Sequence, residues 1–207
     1  MSTLQEMAEA VISGNAKKVK ELAEKALTEG FAPQGIINDG LIAGMNVVGV
    51  RFKNNEVYVP EVLIAARAMH AGMDVVKPLL TDSAIQDKGT VLIGTVKGDL
   101  HDIGKNLVRM MLEGAGYKVI DLGVDIAPDK FAQAVEEHQP QIVGLSALLT
   151  TTMVQMKNTM ERLKDYPVKV MIGGAPVTQK FADEIGADAY ASDAATAVEK
   201  AEQLMAS

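Results

Sequence analysis

The chain has 207 residues, enough to bury one large core or two small ones. Its 48% hydrophobic and 23% charged residues exclude a disordered chain, and the absence of cysteine excludes disulfides, thiolate metal sites, iron–sulfur clusters and cysteine nucleophiles. A net charge of −7 without a basic patch, with only 4% aromatics, argues against a nucleic-acid partner. No apolar run is long enough for a membrane span, and Met1 to Lys20 lacks the basic start and apolar stretch of a secretory signal, so a cytoplasmic protein is expected.

The texture changes near residue 82. Before it, apolar residues recur at helical spacing. Ser2 is placed to cap a first helix through about Ile12, with Gln5 completing a capping box. Ser13-Gly14-Asn15 breaks it. A second helix is expected from Ala16 to Glu29, with Val19, Leu22, Ala23, Ala26 and Leu27 on one face and Gly30 ending it. Pro33 opens a third, to about Phe52, and Asn54-Asn55 makes a turn. The fourth runs from Pro60 to about Leu80. Four helices with short loops predict an antiparallel bundle over 1–82, followed by a polar linker over 83–90.

From 91 to 207 strands alternate with helices. The expected strands are Val91–Val96, Lys118–Leu122, Gln141–Leu145, Lys169–Ile172 and Ala189–Ala191. Helical stretches lie near 103–115, 128–138, 152–165, 178–185 and 194–205. The pattern predicts an α/β domain, a doubly wound, Rossmann-like (flavodoxin-like) sheet of five parallel strands.

Such sheets bind ligands beyond the carboxyl ends of their strands. Strand one is followed by Lys97-Gly98-Asp99-Leu100-His101-Asp102-Ile103-Gly104, strand three by Ser146-Ala147-Leu148-Leu149-Thr150-Thr151-Thr152, and strand four by Gly173-Gly174-Ala175-Pro176. Glycines there would admit a large flat ligand, although such turns also favour Gly, Ser and Thr for their own sake. Gly98 and Gly104-Lys105-Asn106 do not make a P-loop: five residues separate the glycines, and Asn106 stands where Ser or Thr would hold magnesium. His101 has Asp99 and Asp102 beside it. A ligating imidazole commonly donates its other N–H to a carboxylate, and Asp99 is placed for that. His70 and His138 read as surface or packing residues. One histidine is too little for a free transition-metal site but suffices as the axial ligand of a metal already held by a macrocycle. The plainer reading, a loop histidine bonded to nearby carboxylates, stays open on spacing alone.

The run from Gly98 to Asn106 resembles the D-x-H-x-x-G signature of cobalamin-binding domains, and Gly144-Leu145-Ser146 with Thr150, then Gly173-Gly174-Ala175, match the later elements in order. Asn55-Glu56-Val57-Tyr58-Val59-Pro60-Glu61-Val62, continuing through Ala68-Met69, is similar to the helical cap of cobalamin-dependent methionine synthase. It is closer still to the stand-alone corrinoid proteins of methanol, methylamine and aryl-ether methyltransferase systems. The resemblance covers essentially the whole chain.

The resemblance implies a methyl carrier binding cobalamin or a related corrinoid. His101 would be the lower cobalt ligand, Asp99 would bond to His101, and Thr152 to Asp99, as a relay that exchanges a proton when cobalt changes oxidation state. Gly98, Leu100, Asp102, Ile103, Gly104, Leu148 and Ala194 would complete the cofactor site. Ser146 and Thr150 would contact the nucleotide tail, and Gly173 and Gly174 would line its channel. Tyr58 would cover the upper face of the corrin. Cobalt(I) would accept a methyl group from a substrate:corrinoid methyltransferase, and methylcobalt(III) would pass it to a second enzyme, a pterin or thiol methyltransferase. A reductive activase would be a third partner, and no turnover is expected of the chain alone. Methanol, methylamines, betaines and methoxylated aromatics are all open as donors. A cobalamin-dependent regulator and a flavodoxin-like nucleotide-binding protein remain as rivals. A hinge is expected over Thr81–Thr90.

Overall fold

A computed structural model describes residues 1–79 and 88–206. Most of the expected hinge lies outside the described residues. The chain forms two compact units, one of helices and one built on a sheet.

The helical unit contains α1 (Thr3–Ile12), α2 (Ala16–Thr28), α3 (Pro33–Gly35), a π-helical segment (Ile36–Ile42), α4 (Ala43–Lys53), α5 (Val59–Val76) and a 3-10 turn (Lys77–Leu79). Ser2 caps α1 in both directions: its hydroxyl accepts from Gln5 N, and its own N–H donates to Gln5 Oε1 at 2.9 Å. Gly30, at φ +86°, ends the turn after α2. Met7, Val11, Val19, Ile36, Leu41, Met45 and Val62 form the buried interior of this unit.

The third expected helix is interrupted, and the sequence explains why. Its buried positions are Ile36, Ile37, Gly40, Leu41, Gly44, Met45 and Val48, a repeat close to four residues. An α-helix of 3.6 residues per turn drifts away from such a repeat. The wider i→i+5 turns of a π segment keep these residues on one face.

The second unit contains β1 (Thr90–Thr95), α6 (Ile103–Gly114), β2 (Lys118–Asp121), α7 (Pro128–His138), β3 (Ile142–Ser146), α8 (Met153–Leu163), β4 (Lys169–Gly173), α9 (Gln179–Ile185), β5 (Ala189–Ala191) and α10 (Ala194–Met205). All strand pairs are parallel, in the order β2-β1-β3-β4-β5. The core joins Leu92, Val143, Val170 and Ile172 of the strands to Phe131, Val135, Met156 and Leu163 of α7 and α8. Ser146 and Gly173, expected in loops, are the last residues of β3 and β4, because the ladder continues through the pairs Thr95–Ser146 and Ser146–Gly173. The order reverses between β1 and β3, so the loops after these two strands meet at the crevice of the sheet.

Candidate functional site

The loop after β1 presents Asp99 and His101. Asp99 has no exposed surface, whereas half of the His101 side chain is exposed. His101 Nδ1 lies 2.7 Å from Asp99 Oδ1, which also accepts from His101 N at 3.1 Å. The other oxygen, Oδ2, accepts from Leu148 N at 2.8 Å, from Leu149 N at 3.2 Å and from the Thr152 hydroxyl at 2.8 Å. All three of these donors come from the loop after β3. The single Thr152 proton is shared with Leu149 O, also at 2.8 Å.

Burial alone would raise the Asp99 pKa. The hydrogen bonds from the His101 ring, Leu148 N, the Thr152 hydroxyl and His101 N outweigh it, and the carboxyl is held well below the usual carboxylate range. An ionised Asp99 only accepts, so the Nδ1 it faces carries a proton, and Nε2 is the nitrogen with a lone pair to offer whenever the ring is neutral. Nε2 makes no hydrogen bond among the described residues. Leu100, Leu148 and Leu149 on the same two loops and Ile103 at the start of α6 are all exposed. A directed imidazole nitrogen in an apolar setting suits the metal of a flat, largely apolar macrocycle. Among the described residues no three His, Asp or Glu side chains gather as a self-sufficient metal site.

The expected glycines divide by cause. A Cβ on Gly174, at φ +130°, would lie 1.9 Å from Ala147 O, so the chain itself demands glycine there. Gly98 sits at φ +81° in the turn after β1. At Gly104 a Cβ would meet nothing within 4 Å, and open space is what a ligand would need.

Other expected residues hold different places. Asp102 Oδ2 accepts from Asn106 Nδ2 at 3.0 Å, in the first turn of α6 rather than at His101. Lys105, 5% exposed, directs its ammonium to Asp121 Oδ2 at 2.5 Å, not outward as a phosphate-binding lysine would. Ser146 is half-buried and Thr150 exposed at the carboxyl edge, while Ala194 is buried at the start of α10. Tyr58, at the N-cap of α5, is 64% exposed, so it is not packing inside the bundle.

Leu148 was expected at the cofactor site, but its amide bond to Asp99 was not, nor was that of Leu149, because backbone amides carry no side-chain signal. Asp125 also went unpredicted: it lies on the loop after β2, where no motif marks it, and its Oδ1 accepts from Gly98 N at 2.7 Å.

A B12 binding domain model matches residues 89–200, the whole sheet with its carboxyl-edge loops, and a second B12 binding domain model matches 3–77. The chain belongs to the B12-binding corrinoid proteins. It is 46% identical to a dimethylamine corrinoid protein of Methanosarcina barkeri over 208 residues, covering 98% of this chain and 97% of the relative. It is 43% identical to a trimethylamine corrinoid protein of Methanosarcina acetivorans, covering 95% and 94%. Among solved structures, a chain of the methanol:cobalamin methyltransferase complex of Methanosarcina barkeri superposes with a TM-score of 0.91 at 32% identity, over 99% of this chain and 80% of that one. A cobalamin-binding protein of Desulfitobacterium hafniense gives 0.79 at 33%, over 97% and 98%. Cobalamin or a related corrinoid is therefore the cofactor. Among the described residues no helix is long and apolar enough to cross a membrane.

Proposed function

We propose that this corrinoid protein is a methyl carrier in which His101 is the lower cobalt ligand. When bound, the corrinoid supplies a cobalt centre able to carry a methyl group between two methyltransferases. The protein binds and tunes that centre. The observation that carries the reading is the His101 ring itself, with Nδ1 fixed by a buried, ionised Asp99 and Nε2 left without a partner. Asp99 sets the tautomer and strengthens the donor. Thr152, Leu148 and Leu149 keep Asp99 ionised. The proton shared between this pair resides on His101 Nδ1, because Asp99 is too weak a base to hold it.

Gly98, Leu100, Ile103, Gly104 and Leu148 form the lower floor in this reading. Ser146, Thr150, Gly173, Gly174 and Ala194 line the tail channel. The helical cap occupies 1–82, a linker 83–90 and the corrinoid domain 91–207. The relatives named for dimethylamine and trimethylamine support a methylated amine as donor. The likeness to the methanol:cobalamin complex supports a substrate:corrinoid methyltransferase as first partner. A pterin or thiol methyltransferase and a reductive activase complete the set, in the cytoplasm.

The test is reconstitution of parent and His101→Ala with hydroxocobalamin, reduction to cobalt(II), and EPR. The parent shows nitrogen hyperfine coupling from imidazole and the variant loses it. An unchanged spectrum refutes His101 as the ligand. Methyl transfer from dimethylamine or trimethylamine, with the matching methyltransferase, then tests the donor.

A further inference from the structure

Two residues outside the Asp99 hydrogen-bond group grip the backbone that carries His101. Thr95 is the last residue of β1, in a strand otherwise buried and apolar through Val91, Leu92 and Ile93. It has no exposed surface, and its hydroxyl donates to His101 O at 2.9 Å. Valine has nearly the same shape and would fill the site, so packing does not explain a hydroxyl here. Thr95 is itself held on both backbone sides: its N–H donates to Gly123 O at 3.0 Å, and its carbonyl accepts from Ile126 N at 3.0 Å.

Asp125 grips the same loop from β2. Its Oδ1 accepts from Gly98 N at 2.7 Å, and its own N–H donates to Asp99 O at 3.0 Å, closing a reciprocal pair between the two loops. It does so at φ +57°, a conformation uncommon for a residue with a side chain. A turn alone would favour glycine, as at Gly123 two residues earlier, with φ +89°. The side-chain oxygen at 125 is what glycine could not supply.

We propose that Thr95 and Asp125 are positioning residues, a two-point clamp that presets the His101 imidazole before the corrinoid binds. Backbone positions 98, 99 and 101 are each tied to the sheet or its extension, so the imidazole faces Asp99 with little left to order. The functional part of this inference rests on the reading of His101 as the lower ligand.

The experiment compares Thr95→Val with Thr95→Ser, and Asp125→Gly with Asp125→Asn. Serine retains the hydroxyl; asparagine retains the acceptor oxygen and tolerates the same backbone conformation. Glycine relieves that conformation and removes only the acceptor. Circular dichroism establishes that each variant is folded. In the full-length apo-protein at about pH 8, nitrogen-15 NMR reads the ratio of Nδ1–H to Nε2–H tautomers of His101. The parent, Thr95→Ser and Asp125→Asn keep the Nδ1–H form dominant. Thr95→Val and Asp125→Gly each lower the ratio about fivefold, the factor one net hydrogen bond is worth. A general loss of stability would not move a tautomer ratio. Unchanged ratios in both variants overturn the clamp, and a change in only one overturns its two-point form. After loading with hydroxocobalamin and reduction to cobalt(II), the fraction with imidazole coupling falls in the same two variants. If the parent itself lacks that coupling, the ligand reading fails, while the tautomer measurement still decides the clamp.

Discussion

Thr152 donates its hydroxyl to Asp99 Oδ2 at 2.8 Å across 53 residues of sequence, and Asp99 Oδ1 faces His101 Nδ1 at 2.7 Å. The carboxylate thus transmits the loop after β3 to the imidazole on the loop after β1. Changing either end of this chain is expected to change how strongly Nε2 donates.

Asp99→Asn keeps the size and removes the charge. The expected outcome is a weaker His101 donor, with corrinoid affinity or methyl-transfer rate lowered about 10-fold to 100-fold. Thr152→Ala acts in the same direction but less, since it removes one hydroxyl contact worth about 1 kcal/mol, and Thr152→Ser restores it. Redox titration of the cobalt(II)/cobalt(I) couple ranks the variants; identical midpoints in parent and Asp99→Asn contradict the coupling.

The depressed Asp99 pKa has a signed consequence for stability. The unfolded chain binds this proton near pH 3.8, the folded chain only at lower pH. The stabilisation is present above pH 3.8 and is lost as pH falls below it through the folded value. Acid unfolding of the apo-protein followed by circular dichroism should therefore be steeper in the parent than in Asp99→Asn below that pH. Equal slopes there would show that Asp99 is not held ionised.

Tyr117 sets the opposite limit. Burial, with the Glu202 carboxylate adding to it, pushes its hydroxyl from 10.0 up to about 12. The unfolded chain releases the proton first, so the contribution is whole below pH 10 and is lost as pH rises toward 12. Two pKa units correspond to about 2.7 kcal/mol at full ionisation. Urea unfolding across this range should show that decline in the parent, and Tyr117→Phe should flatten it.

The glycines separate folding from binding. Gly174→Ala drives a Cβ against Ala147 O in a backbone conformation that alanine rarely adopts, and should cost about 3 kcal/mol or more. Gly104→Ala enters open space at the second residue of α6 and should leave unfolding nearly unchanged. Its effect should appear as weaker hydroxocobalamin binding, read by absorbance titration. Parent-like binding by Gly104→Ala would place the ligand elsewhere.

Local chemistry made much of this protein legible in its sequence. Ser2 with Gln5 marks the first helix, Gly30 the end of the second, and the apolar runs from Val91 to Ile172 the strands, because caps, breakers and periodicity act over a few residues. The motif from Asp99 to Gly104 was legible for the same reason, as a local run of residues. The π segment was not predicted; the sequence read as one helix from Pro33 to Phe52, and the repeat near four emerges only from which residues the fold buries. Only the tertiary structure decided the rest. The order β2-β1-β3-β4-β5 brings the loops after β1 and β3 together, and Asp99 then takes two backbone amides from Leu148 and Leu149, groups every residue carries and no motif records. Gly174 is demanded by a carbonyl 27 positions earlier, at Ala147, and Asp125 reaches Gly98 from another strand end. Side-chain types fixed which residues could serve a corrinoid; parallel pairing of strands distant in sequence fixed which backbone groups hold them in place.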